Sequence, residues 1–135
     1  MIGGIGRVLD VSALVDFATQ RTRYMEAVVW THDRHVGSLL IPAPVLAAAI
    51  AQIPDRAVPV LEVLVGLEVT TVVALTEGSA PAIGATLKAA GTAAAEAVTA
   101  ASVVHAALTR GIPVVTGQPY PLLALHPSVE IDLLP

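Results

Sequence analysis

The chain has 135 residues, a length typical of one domain with one hydrophobic core, and we expect a single domain over residues 1–135. Hydrophobic residues make up 55% of the chain and charged residues 13%, and the net charge of −4 does not support a protein that binds RNA through its phosphates. The absence of cysteine excludes disulfides, thiolate metal sites and cysteine nucleophiles.

The apolar composition bears on location and assembly. The longest uncharged stretches contain several prolines, so no membrane helix is expected, and no secretory signal opens the chain. We therefore expect a cytoplasmic protein. A small domain cannot bury all of this apolar surface, and large exposed apolar patches usually mark contact sites, which favours a homodimer.

Short apolar runs alternate along the chain with longer helical patterns, which indicates βαβ units, a parallel or mostly parallel sheet and helices on both faces. The expected strands are residues 6–9, 37–41, 69–75, 112–115 and 129–133. The expected helices are residues 12–35 with a break near 19–22, 42–53, 57–64, 79–90 and 93–110, with Gly91 and Gly111 as helix stops.

The carboxylate of Asp10 ends the first expected strand, just before a helix begins. In an open α/β sheet, ligands bind in the crevice outside the carboxyl ends of the strands, so Asp10 is a candidate for catalysis or binding. An aspartate in this position is also a common N-cap for the helix that follows. Both interpretations stay open at the level of sequence.

Three segments together resemble a PIN domain: residues 8–15 (VLDVSALV), 41–48 (IPAPVLAA) and 106–119 (AALTRGIPVVTGQP). The resemblance covers nearly the whole chain in the right order. It implies an α/β three-layer sandwich with a mostly parallel five-stranded sheet. PIN domains include the toxin ribonucleases of toxin–antitoxin pairs, which cut RNA with Mg²⁺ or Mn²⁺ held by three or four acidic residues. Such cations prefer oxygen ligands and generate the attacking hydroxide.

The resemblance assigns the family's first acid to Asp10, its companion hydroxyl to Ser12 and the threonine that ends the fourth strand to Thr116. With Gln118, these residues are the expected lining of the site. A metal site would begin at Asp10.

The other acids of the family are missing from this chain. Ala48 stands where the family has a glutamate in the helix after the second strand, and Ala100 where it has an aspartate in the long helix before the fourth strand. Gln118 replaces the aspartate two residues after the threonine. The resemblance therefore implies a degenerate acidic site.

Two carboxylates near these positions carry alternative interpretations. Glu96 lies one helical turn before Ala100 and is either a second metal ligand or a helix-capping charge. Asp16 follows Asp10 by one and a half turns, and we expect it to be a charge on the helix surface.

The sequence therefore favours a PIN-like protein that lacks metal-dependent nuclease activity, needs no cofactor and acts by binding protein or RNA. An antitoxin-like peptide in an apolar groove would be one such partner. The alternative is an active endoribonuclease that binds Mg²⁺ or Mn²⁺ through Asp10 and Glu96, assisted by Asp16 or Glu77, because magnesium often keeps several waters and few protein ligands.

Overall fold

The computed structural model describes residues 6–34, 37–91 and 97–135. The strands are β1 (Gly6–Leu9), β2 (Ser38–Pro42), β3 (Thr70–Val73), β4 (Val114–Thr116) and β5 (Ile131–Leu133). The α-helices are α1 (Val11–Thr19), α2 (Tyr24–Arg34), α3 (Ala43–Gln52), α4 (Val58–Val65), α5 (Ala80–Ala89), α6 (Ala97–Arg110) and α7 (Pro119–Leu125), and a 3₁₀ turn (Asp55–Ala57) precedes α4.

All five strands are parallel, in the order β3-β2-β1-β4-β5. The chain adds β2 and then β3 on one side of β1, and it later adds β4 and β5 on the other side. Right-handed connections in these two directions place helices on both faces of the sheet. On one face α1 contacts α2 and α4, and on the other α6 contacts α5 and α7. The predicted three-layer α/β architecture is confirmed.

The core lies on both faces of the central strands, as expected for a parallel sheet. β1 and β4 are almost wholly inaccessible, with Val8, Leu9, Val114 and Val115 all at 0% exposure. The edge strand β3 is largely exposed, as its burial pattern shows. The place where β1 meets β4 is therefore deep in the core.

The predicted helix stops and strand positions agree with the structure to within a few residues. Gly91 and Gly111 have φ angles of 76° and 65°, a left-handed conformation that glycine adopts without strain, and they follow α5 and α6. The predicted break after residue 19 is the gap between α1 and α2, where Gln20 also has a positive φ of 53°. Residues 93–96 of the last predicted helix lie outside the described residues.

Helix α7 was not predicted from the sequence, although Pro119 provides the usual signal of a proline in the first turn. The segment has only seven residues and contains two prolines, so it resembles a loop when only the sequence is considered. It folds as a helix because Leu122 is buried in the main core at 1% exposure.

The expectation that Asp16 is a helix-surface charge is wrong. Its side chain is only 2% exposed, because the chain after α1 folds back over it. Thr22 donates two hydrogen bonds to the carboxylate, from its backbone N–H to Oδ1 at 2.8 Å and from its hydroxyl to Oδ2 at 2.9 Å. Asp16 therefore fixes the connection between α1 and α2.

We predict that Asp16→Ala lowers the free energy of unfolding by about 2–3 kcal/mol, because it removes two charge-assisted hydrogen bonds and leaves the amide and hydroxyl of Thr22 without these acceptors. Urea denaturation followed by circular dichroism measures the change. Asp33→Ala removes an exposed aspartate from α2 and is the matched control, with little expected effect. Equal stabilities of the two variants would contradict the structural role of Asp16.

Candidate functional site

The candidate site lies at the carboxyl ends of β1 and β4, where the strand order reverses. Asp10 directly follows β1, and Thr116 is the last residue of β4. Parallel pairing of Leu9 with Val115 brings these two positions side by side. Because the connections from β1 and β4 leave toward opposite faces of the sheet, a crevice opens between them, and such crevices are where open α/β sheets bind ligands.

A directed chain of hydrogen bonds holds this crevice together. The Thr116 hydroxyl donates to Oδ2 of Asp10 at 2.8 Å. Because that bond uses the only hydroxyl proton of Thr116, the Ser12 hydroxyl is the donor in its 3.3 Å contact with Oγ1 of Thr116. The backbone N–H of Gly117 donates to Oγ of Ser12 at 2.9 Å. This series of hydrogen bonds ends on the Asp10 carboxylate, and it joins the start of α1 to the turn after β4.

Asp10 occupies the N-cap position of α1, as one interpretation of the sequence predicted, but its side chain makes no capping hydrogen bond. The carboxylate turns instead toward Thr116. The structure therefore places the side chain of Asp10 in the crevice, where it lines a cavity.

Burial raises the pKa of the Asp10 carboxyl above its ordinary value of 3.8. The hydrogen bond from Thr116 and the backbone N–H of Val11 oppose this rise, but desolvation is the larger effect. The folded protein therefore binds a proton at Asp10 more tightly than the unfolded chain does.

The Asp10 cavity has a volume of about 450 Å³ and brings together residues from four stretches of the chain. Ala48 from α3, Ala100 from α6 and Gln118 after β4 all line it, together with Asp10 and Ser12. The positions that the sequence assigned to the family's missing acids thus share one cavity with the acid that remains. Its other lining residues are Val11, Gln52, Thr99, Pro121 and Leu122.

The sequence did not predict several of these lining residues, although the positions of two of them, Gln52 and Thr99, could have indicated their place at the site. Gln52 lies one helical turn after Ala48, so the two share a face of α3. Thr99 directly precedes Ala100. Pro121 and Leu122 belong to the unpredicted helix α7, so no sequence signal placed them at the site.

Among the described residues, Asp10 is the only carboxylate that lines this cavity. Asp16 lines an adjoining cavity, where Thr22 holds both of its carboxylate oxygens. Glu77 is exposed in the turn before α5 and lines neither cavity. Glu96, the other candidate ligand, lies outside the described residues. In the part of the chain that the structure describes, no three aspartate, glutamate, histidine or cysteine side chains form a group able to hold a metal ion.

An all-parallel α/β domain with its crevice between β1 and β4 has counterparts among solved structures. VapBC2 from Rickettsia felis, solved bound to a DNA fragment from its promoter, superposes with a TM-score of 0.70 at 10% identity, covering 95% of this chain and 98% of that one. FitAcB from Neisseria gonorrhoeae superposes with a TM-score of 0.56 at 14% identity, covering 93% of this chain and 95% of that one.

The fold that these structures share with the chain is that of a PIN-like domain, which confirms the resemblance seen in the sequence. No family model and no curated protein sequence matches the chain. No helix among the described residues is both long and apolar enough to cross a membrane.

We predict that Asp10→Asn stabilises the protein at pH 7, because the amide avoids the cost of burying a charge. A carboxyl whose pKa is raised in the folded state costs stability above that pKa and costs nothing well below its unfolded pKa. The gain should therefore be largest at neutral pH and shrink toward zero as the pH falls below about 3.8, the ordinary value. Thermal denaturation between pH 3.5 and 8 measures it.

Asp33→Asn, at an exposed position of α2, removes one negative charge without changing the cavity and serves as the control. A loss of stability in Asp10→Asn across the whole pH range would show that the bond from Thr116 outweighs the burial of the charge.

Proposed function

We propose that the chain is a PIN-like protein of the toxin type that has lost metal-dependent nuclease activity and acts by binding a protein partner. One observation carries the first part. The cavity that gathers the family's site positions contains a single carboxylate among the described residues, with alanine at positions 48 and 100 and a neutral amide at position 118.

This donor set does not fit a divalent cation. Mg²⁺ and Mn²⁺ are hard cations that need oxygen ligands in a fixed geometry, and the methyl groups of Ala48 and Ala100 offer none. Asp10 also gives up one oxygen to the Thr116 hydroxyl. One negative charge leaves the ion uncompensated in a partly desolvated cavity, so the generation of hydroxide for phosphodiester hydrolysis has no basis here.

We predict no saturable binding when Mn²⁺ is titrated calorimetrically into the purified protein, and no Mg²⁺- or Mn²⁺-dependent cleavage of single-stranded RNA. Asp10→Asn should behave as the parent protein in both assays. Micromolar Mn²⁺ binding that disappears in Asp10→Asn and in Glu96→Gln, together with RNA cleavage lost in the same variants, would overturn the proposal and establish the alternative nuclease.

The chain offers its own positive control for this experiment. Ala48→Glu, Ala100→Asp and Gln118→Asp, combined in one protein, would add three carboxylates around the cavity that Asp10 lines. If the backbone retains the geometry of the fold, this variant binds Mn²⁺ under the conditions in which the parent does not.

The second part of the proposal rests on an apolar groove formed by α1, α2 and α4, which we call the α1–α2–α4 groove. It has a volume of about 320 Å³ and contains two large exposed apolar side chains, Trp30 at 58% and Val63 at 65% exposure. Exposed apolar surface of this kind usually marks a contact site. The groove is lined by Phe17, Gln20, Thr22, Glu26, Val29, Trp30, Asp33, Val63 and Leu67.

The charges of the groove define the partner it suits. Among the residues that the structure describes, Glu26 and Asp33 are the only charged ones in the groove lining, and both are acidic. The guanidinium of Arg34 lies 5.8 Å from the ring centroid of Trp30, so it covers the indole on one side. An amphipathic helix with an apolar face and flanking basic residues would bury Trp30 and Val63 and complement the two acids. A phosphate backbone would be repelled by them.

The structural neighbours support a partner of this kind. VapBC2 and FitAcB are both toxin–antitoxin complexes, which supports an antitoxin-like partner for this chain. The antitoxin-like partner predicted from the sequence is therefore the occupant that we propose for the α1–α2–α4 groove.

Trp30 is the only tryptophan in the chain and reports directly on this groove. We predict that an amphipathic helical peptide with a leucine face and flanking lysines shifts its fluorescence to shorter wavelength, because binding removes the indole from water. The same peptide with glutamates in place of the lysines should bind at least about tenfold more weakly, because like charges across an interface are unfavourable.

Val63→Asp should abolish the shift, whereas Tyr120→Asp, which changes an 81% exposed side chain outside the groove, should not. Equal binding of both peptides would contradict the charge argument.

Light scattering at several concentrations tests the expected homodimer. A dimer that is lost in Val63→Asp would make a second copy of the chain the occupant, and would overturn the partner proposed here.

A further inference from the structure

A second cavity adjoins the Asp10 cavity and has a volume of about 370 Å³. The two cavities share Ser12, Gln52 and Gln118, so together they form one elongated cleft, which we call the Asp10–Arg21 cleft. Each cavity alone falls within the size range of small-molecule sites, and the cleft lies at the switch point of the sheet, where such sites are usual.

The two ends of the cleft carry opposite charges. Asp10 lines one end and Arg21 the other. Arg21 is exposed, and no carboxylate of the described residues lies within 4.0 Å of its guanidinium. Asp16 also lines the Arg21 end, but it is 2% exposed and its carboxylate oxygens accept the two bonds from Thr22. Of the two charged side chains that line that end, the guanidinium of Arg21 is thus the one open to a ligand.

The stretch between the two charges is neutral. The side chains of Gln52 and Gln118 are exposed amides that both donate and accept hydrogen bonds. Ala48 and Ala100 add an apolar wall at the Asp10 end, where larger acidic side chains would otherwise narrow the cavity. A ligand that spans the cleft therefore contacts the Asp10 carboxylate at one end, neutral polar and apolar side chains in between, and the Arg21 guanidinium at the other end.

We propose that the Asp10–Arg21 cleft binds a small zwitterion, with a guanidinium at Asp10 and a carboxylate at Arg21. The guanidinium gives Asp10 a charge-assisted hydrogen bond, and the carboxylate matches the planar fork of Arg21. A purely anionic ligand is repelled at Asp10, and a purely cationic one leaves Arg21 unpaired. A basic amino acid carries both groups on a flexible chain. This inference rests on the proposed function only in that no divalent metal occupies the cavity.

Three matched ligands test the two charges separately by calorimetry. L-arginine carries both charges, agmatine lacks the carboxylate, and citrulline replaces the guanidinium with a neutral urea group. We expect saturable binding of L-arginine at one site, and binding of agmatine and citrulline weaker by at least about tenfold each, as for the loss of one charge-assisted bond. A tripeptide with a C-terminal arginine tests whether the C-terminus of a peptide binds more tightly than the free amino acid.

Variants assign each charge to its residue. Asp10→Asn should weaken L-arginine binding at least about tenfold and leave citrulline binding unchanged. Arg21→Gln should reduce L-arginine to the level of agmatine and leave agmatine unchanged. Arg23→Gln removes an exposed arginine that does not line the cleft, so it is the control and should change nothing. Thermal denaturation of each variant confirms that it is folded.

Equal affinities for L-arginine and citrulline, or equal effects of Arg21→Gln and Arg23→Gln, would overturn the inference. The result is separable from the test of the proposed function. Absence of both L-arginine and Mn²⁺ binding would contradict this inference alone, whereas Mn²⁺ binding that competes with L-arginine would contradict the loss of the metal site.

Discussion

The parallel pairing of β1 with β4 is the constraint on which the rest of the site depends. It aligns Leu9 with Val115, so the residues that follow, Asp10 and Thr116, emerge together at the same edge of the sheet. The bond between the Thr116 hydroxyl and Asp10 then links the start of α1 to the turn after β4. Because the paired residues Leu9 and Val115 are fully buried, the core fixes this geometry.

The core therefore holds the fold whatever side chains line the cavity, and Asp10 is the only carboxylate in that lining among the described residues. The hydroxyls of Ser12 and Thr116 bond to one another and accept hydrogen bonds from the neighbouring backbone N–H groups, so the protein itself supplies these contacts. Ala48 and Ala100 place methyl groups and no charge beside Asp10, so its carboxylate meets no like-charge repulsion from these two positions. Among the described residues, the cavity lining thus holds one desolvated carboxylate.

The outline of the fold could be predicted from the sequence because most strands coincide with short apolar runs, and because glycines end two of the helices, Gly91 after α5 and Gly111 after α6. The site positions 10, 48, 100, 116 and 118 were found by resemblance, and the structure gathers them at one place. Helix α7 escaped prediction because it is short and is held by the burial of Leu122. Asp16 was misjudged because its burial depends on a fold-back of the chain that no helical periodicity encodes.

The sequence by itself determined the class of the domain and the scarcity of acids, since alternating apolar runs dictate a parallel α/β sheet and the identities of Ala48, Ala100 and Gln118 are independent of folding. Only the tertiary structure decided which polar groups meet. The α1–α2–α4 groove, the bond from Thr116 to Asp10 and the cleft from Asp10 to Arg21 join residues far apart in the chain. Local patterns cannot specify such contacts, because the packing of helices on a twisted sheet sets the distances between their side chains.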